Sequence, residues 1–415
     1  MRQLGSNSES ASTAEGIVAA KVNQFGRSRR EIAHRITERL HKKMPAEVEA
    51  FFDAIESGRW VDIKARWDIL AKRSGQYADS EGSEELRKEL SPFWPAVLDA
   101  YGVAEQAHDW PAQKLLDYGN AVLSSLRPGM VYVGGTDNGR WIPELLNDTG
   151  DGEQHVILTQ NALADGRYVE WMRELYGDRL DTLSEQDSKR VFDKYTADAR
   201  KRLEHDQQFP NEPKQIRPGE DVKVVDGRVQ VSGQVAVFSI NEMLLQTLMS
   251  KNPDLSFALQ ESSPLKGTYA DALPLGPLME LGAQNEQNSF TAERAAQSLD
   301  YWRNAAQQIF SDVEASGSDT TLKAYSHDTV SAANLLAAHN FTAEAEQAYR
   351  LAAQLWPENP ESVGGLTDLL TRSGREDEAR QILADFTQKY PGQLKELERA
   401  RASGRIVGPA QPTGR

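Results

Sequence analysis

Apolar residues along this chain change their period twice. From Gly16 to Leu126 they recur at helical spacing only. In RSRREIAHRITERLHKK, Ile32, Ile36 and Leu40 fall at steps of four, which predicts a basic amphipathic helix packing its stripe on the body. In PAEVEAFFDAIESGRWVDIKARWDILAKR two such stretches meet at Ser57-Gly58. This predicts an αα-hairpin with Phe51, Phe52 and Ile55 facing Trp60, Ile63, Trp67 and Leu70. KLLDYGNAVLSSL, Lys114 to Leu126, reads as another amphipathic helix, stopped by Arg127-Pro128-Gly129.

At Met130 the period shortens. MVYVGG and HVILTQN read as short buried strands, and GRWIPELLND and ADGRYVEWMRELYGD as the helices that follow them. Alternation of this kind predicts parallel pairing through crossover helices. A charged helix near 188–205 and a Pro-rich connector precede VKVVDGRVQV, where Asp226-Gly227 supplies the positive φ values of a two-residue hairpin turn. INEMLLQTLMSKNP is a helix, and LSFALQES and PLGPLMELG read as two more strands. Residues 127–282 are therefore expected to form an α/β domain, a Rossmann-like, partly parallel sheet of about five strands with a hairpin addition. An N-terminal helical region, 16–126, precedes it. A linking helix within 283–325 follows, with Thr291 as N-cap and a stripe of Ala295, Leu299, Trp302, Ala306, Ile309 and Phe310. Residues 1–15 and 401–415 are polar and read as disordered tails.

The second change comes at residues 326–400. Two segments align with a period of 34: Leu336 with Leu370, Asn340 with Gly374, Ala345 with Ala379, Tyr349 with Leu383 and Pro357 with Pro391. Small residues where two helices touch, Asn or Gly at the turn, and Pro after the second helix resemble a pair of tetratricopeptide repeats, an α-solenoid. The first helices depart from that pattern, with Thr329, Ala333, Val363 and Thr367 where Trp and Gly are usual. Two repeats fall short of the usual three, so they must lean on a neighbour, and the linking helix is the expected cap. A repeat array offers a concave surface to a protein partner. A purely packing role is the alternative.

Composition narrows the function. With 62 acidic against 47 basic residues, the net charge is -15, which repels phosphate backbones and argues against general nucleic-acid binding. There is no Cys, hence no disulfide, thiolate metal site or cysteine nucleophile. The seven His residues are scattered without a zinc-type i, i+4 pair, and Gly150 breaks the calcium-loop alternation in NDTGDGEQH, so neither metal nor cofactor is expected. The chain shows no transmembrane segment and no signal-peptide pattern, so as written it reads as soluble and cytoplasmic.

Candidate chemistry centres on VYVGGTDNGRWIPELLND. The stretch lacks the Lys-Ser/Thr of a P-loop, and its glycines miss the dinucleotide spacing. Asp137, near a helix N-terminus, competes with phosphate for the same positive end. Three readings stay open. Gly134 and Gly135 allow close backbone approach while Asp137 caps the helix and pairs with Arg140. Alternatively, Thr136, Asp137 and Arg140, with Asn161 and Asp165 after the second strand, line a crevice for a small polar ligand at the strand ends. In the third, Asp137 is a nucleophile or general base, although no paired His, Ser or second carboxylate supports it. No catalytic residue is assigned.

VYVGGTDNGRWIPELL, HVILTQNALADGRYVEWMRELYG and VDGRVQVSGQVAVFSINEMLL, in this order, resemble the soluble C-terminal region of bacterial protein O-mannosyltransferase-like membrane proteins that end in tetratricopeptide repeats. The likeness covers about residues 110–282 and the repeat tail. It implies an extracytoplasmic α/β domain assisting glycosylation, and it transfers no catalytic residue. The expected function is a non-catalytic binding or scaffold protein. The alternative is a hydrolase or sugar-related transferase using Asp137 and Arg140.

Overall fold

The structure is a computed structural model and describes residues 13–74, 84–135, 137–260, 266–285 and 288–402. The expected tails lie almost wholly outside the described residues. The chain forms two compact units, Met1–Asn120 with Glu144–Gly152, and Ala121–Pro143 with Glu153–Arg415.

The first unit is helical: α1 (Ala14–Leu40), α2 (Ala46–Ser57), α3 (Trp60–Ser74), α4 (Glu84–Leu90), α5 (Trp94–Asp109) and α6 (Ala112–Ser124), the last running on into the second unit. The αα-hairpin forms as its pattern predicts. Gly58 takes φ 69° at the turn, and Phe51, Phe52, Ile55, Ile63, Trp67 and Leu70 are buried. Trp67 stacks flat on Tyr101, ring centroids 3.9 Å apart, and on Trp94 at 5.0 Å.

Helix α1 departs in part from its predicted stripe. Ile32 and Ile36 are buried, but Leu40 is exposed, and Arg29 from the basic run is buried. Its guanidinium lies 2.7 Å from Glu144 and from Asp148, and 3.6 Å from Asp99. Glu144 and Asp148 stand one turn apart on α7 (Asp137–Asp148), which carries the chain from the second unit into the first. A buried charge is tolerated only with such partners. Partners this far along the chain leave no mark on local periodicity.

The second unit holds β1 (Val131–Gly134), β2 (Val156–Thr159), α8 (Gly166–Tyr176), α9 (Glu185–Gln208), β3 (Asp221–Val225), β4 (Arg228–Ser232), α10 (Gln234–Lys251), β5 (Phe257–Leu259), α11 (Lys266–Ala270), β6 (Leu273–Leu275) and β7 (Leu278–Leu281). The main sheet has the order β2-β1-β5-β7-β6. β1 pairs parallel with β2 and β5, whereas β7 pairs antiparallel with β5 and β6. Its core joins Val122, Leu126, Met130, Tyr132, Ile157, Ala258 and Leu278.

Two expectations are corrected. PLGPLMELG is not one strand: Gly276 turns with φ 59° and makes it the β6–β7 hairpin. The Asp226-Gly227 hairpin forms, with φ 50° and 77°, but as a separate two-stranded ribbon lying against α9 and α10. Most of its side chains are exposed, so it has no second face to bury in a central sheet. The chain is mostly helical with a small mixed five-stranded sheet. Three short parallel strands are completed by antiparallel ones instead of by further crossover units.

The linking segment is α12 (Ala292–Ser311), capped as expected by Thr291, and α13 (Val313–Ser316). Phe310, expected in the buried stripe, is instead exposed. Two helix pairs follow, α14 (Asp319–Ala338) with α15 (Thr342–Leu355), and α16 (Pro360–Arg372) with α17 (Glu376–Lys389), before α18 (Leu394–Ala402). The aligned positions behave alike. Asn340 and Gly374 make the turns at φ 64° and 75°, and Leu336, Leu370, Ala345 and Ala379 are buried.

Candidate functional site

The two predicted strand ends meet. The side-chain amide of Asn161, just past β2, donates to the carbonyl of Gly135, just past β1, at 2.6 Å. A third end joins them. Gln260 follows β5, and its backbone N–H donates to the Val133 carbonyl at 3.1 Å. Gly134 is required by close approach, because a Cβ there would sit 2.5 Å from the Gly139 carbonyl oxygen of α7. The Tyr132 hydroxyl lies within hydrogen-bond reach of both that carbonyl and Gln260 Oε1, while Gln260 Nε2 donates to Asp328 Oδ2 at 2.9 Å. A buried polar chain thus runs from the start of α7, beneath the sheet end, to α14.

The five sequence candidates are used unequally. Thr136 lies outside the described residues. Arg140 is buried, its guanidinium 5.2 Å from the ring centre of Tyr168 and 5.5 Å from that of Trp141. Asp165 is the N-cap of α8, accepting from Arg167 N at 2.9 Å and pairing with the Arg167 guanidinium at 2.9 Å. Asn161 holds Gly135 with its side chain and receives Asn241 Nδ2 on its own carbonyl at 3.1 Å.

Asp137 differs from these. It is the first residue of α7 and is exposed, and its carboxylate accepts no hydrogen bond among the described residues. The expected cap is therefore not made by this side chain. Desolvation by the protein packed behind it pushes its carboxyl above the usual aspartate range, and the Arg140 charge pulls in the opposite direction.

The residue that sequence reasoning missed is Gln160. It is 1% exposed, directly after β2, and neither Nε2 nor Oε1 has a hydrogen-bond partner among the described residues. The buried indole N–H of Trp141 on α7 also lacks one. Buried polar side chains are normally bonded, so these atoms mark the strand ends as incomplete. The available signal was positional, a carboxamide at the carboxyl end of a buried strand, and the charged residues nearby drew the reading away from it. Among the described residues, no cluster of three His, Asp or Glu could hold a metal ion.

In the helical tail, the first helix of each pair is covered. α14 packs on α11 and β6, with His339 Nε2 2.7 Å from the Tyr269 carbonyl, and α16 packs on α18, where Arg401 donates to Thr367 at 3.0 Å. Part of the first helices is thus covered by other elements of this chain. Exposed side chains remain on α17, among them Asp377, Gln381 and Asp385. Residues 335–403 match the tetratricopeptide repeat family. No curated protein and no solved structure matches the chain. The tetratricopeptide match starts inside α14 and runs through α18, so the covering helix belongs to the matched segment. It supports a protein-interaction role for the tail, and it lends nothing to the resemblance with membrane glycosyltransferases.

Proposed function

We propose that the chain is a non-catalytic binding protein, in which the strand ends hold a small polar ligand and the tetratricopeptide tail engages a protein partner through the outward face of α17. The observation that carries the ligand reading is the buried, unpartnered amide of Gln160. Leaving such a group unbonded costs about 1–3 kcal/mol, which a guest with both a donor and an acceptor would offset. Binding is favoured over chemistry because Arg140, Asn161 and Asp165 are already engaged by neighbouring rings, backbone and Arg167.

A thermal-shift screen with nucleotides, nucleotide sugars and glycans, run in parallel on Gln160→Leu, tests this. A hit whose shift disappears in the variant is the expected result, and a shift that persists unchanged removes Gln160 from the site. For the tail, the double variant Asp377→Lys with Asp385→Lys should lose cross-linked partners that the parent chain retains. Equal recovery would eliminate α17 as the partner face.

A second reading rests on Asp137, whose exposed carboxyl accepts no hydrogen bond among the described residues and is held above its usual range. As a general base it would act on a hydroxyl or water beside a bound sugar or ester. Turnover of such a substrate, abolished by Asp137→Asn, would establish that reading. Turnover retained in the variant would end it.

A further inference from the structure

Away from the strand ends, a cavity of about 540 Å³ opens between α12 and the β6–β7 hairpin. That volume falls within the range of small-molecule sites. One wall is a face of α12 on which Arg294, Ser298 and Tyr301 stand at positions i, i+4 and i+7. The opposite wall is the apolar stretch Leu273, Pro274 and Leu275.

Charge is distributed unevenly around the opening. Arg127 is locked to Glu280 through two parallel hydrogen bonds, one of them 3.0 Å, so those two charges cancel. Arg294 makes no ion pair among the described residues. Its only side-chain hydrogen bond among the described residues is a long one, 3.4 Å from Nη1 to the Ser289 carbonyl. One guanidinium therefore faces the cavity with donors to spare, in a chain whose net charge is -15. Beside it, the hydroxyls of Ser298 and Tyr301 have no hydrogen-bond partner among the described residues, although Ser298 is buried. Burial, helped by the Asp328 charge, pushes the Tyr301 phenol up to about 12, so it stays a proton donor at neutral pH.

We propose that this cavity binds a small amphiphilic monocarboxylate, with its carboxylate on the Arg294 fork, its polar body along Ser298 and Tyr301, and its apolar side on Leu273–Leu275. A guanidinium matches a carboxylate in planar, two-bond geometry. A single uncommitted cation matches one negative charge, which favours a carboxylate over a phosphate dianion. The site is separate from the strand ends and does not depend on the function proposed for them.

N-acetylleucine, its neutral twin N-acetylleucinamide and phenyl phosphate are suitable probes, titrated against the full chain by ligand-observed NMR up to about 10 mM. N-acetylleucine should bind at least about tenfold more tightly than either of the others, the factor expected for a charge-assisted hydrogen bond. Arg294→Gln, which keeps a helix-favouring side chain, should erase that preference. Tyr301→Phe should weaken N-acetylleucine severalfold, while Arg190→Gln, in a separate groove between α9 and α10, should change nothing. Thermal melts of the variants confirm that each is folded. Equal binding of acid and amide, tighter binding of phenyl phosphate, an unchanged preference in Arg294→Gln, or no binding by any probe would each overturn the assignment.

Discussion

Asn359 and Gln160 are both carboxamides with almost no solvent exposure, one opening the second repeat and one closing β2. Asn359 is fully engaged. Its Oδ1 caps α16 by accepting from Glu361 N at 2.9 Å and Ser362 N at 3.3 Å, and its Nδ2 donates to Ser326 Oγ at 2.8 Å. Ser326 in turn reaches the Ala352 carbonyl at 2.7 Å, which ties α14, α15 and α16 together. Gln160 has no partner on either atom among the described residues. Functional group and burial are the same, so neither separates a packing group from a binding group. Hydrogen-bond accounting does: the first amide is spent on the fold, and the second has no partner among the described residues, which is why the proposed ligand is placed there.

The sharpest way to break this contrast is to replace both amides by leucine. Asn359→Leu removes a helix cap and strands the buried amides of α16, so it should lower stability by about 3 kcal/mol. Gln160→Leu removes a buried group that nothing satisfies, and in the absence of ligand it should raise stability by about 1 kcal/mol. Denaturant midpoints at constant slope measure both. Similar losses in the two variants would mean that Gln160 is as well served as Asn359, and the contrast would fail.

The repeats make a second, somewhat smaller prediction. A Cβ on Gly365 would lie 2.3 Å from the ring of Tyr349, whose hydroxyl donates to Asn334 Oδ1 at 2.6 Å. The ring is fully enclosed and cannot move aside. Gly365→Ala should therefore cost about 2 kcal/mol by overpacking, more than helix propensity would return. Adding Tyr349→Leu to the same chain should recover part of the loss, because it opens the space the methyl needs.

These cases show how far local sequence reaches. The repeat was legible because its constraints recur: Asn340 and Gly374 occupy the same left-handed turn, and Ala345 and Ala379 the same tight contact, 34 residues apart. The strands were legible as β-branched runs, but sheet membership was not. Whether VKVVDGRVQV joined the main sheet depended on what covered its faces, and those groups are distant in sequence. The same holds for Arg29, which reads as one more surface cation until Glu144 and Asp148 are brought to it. At the strand ends the sequence pointed to the loops after β1 and β2. It could not tell Asp165 and Asn161, engaged at home, from Gln160, which is not. The covering of the first repeat helices was illegible for a similar reason, since α11, β6 and α18 reveal their role only by position.

Asp137 gives the smallest effect and the most direct reading of sign. A carboxyl whose folded pKa lies above its unfolded value favours the neutral form in the fold. Its contribution is present below the unfolded pKa and is lost as pH rises through the folded one. At neutral pH the ionised group thus works weakly against folding. Asp137→Asn should melt slightly above the parent near pH 7, and the two curves should converge as pH falls toward about 3. A carboxylate serving the positive end of α7 predicts the reverse, a loss of about 0.3–1 kcal/mol in the variant at neutral pH that vanishes in acid. Thermal melts across that range decide between them. The first outcome sets Asp137 beside Gln160 as a group the fold does not use. The second moves it to the side of Asn359 and leaves Gln160 alone to mark the strand ends.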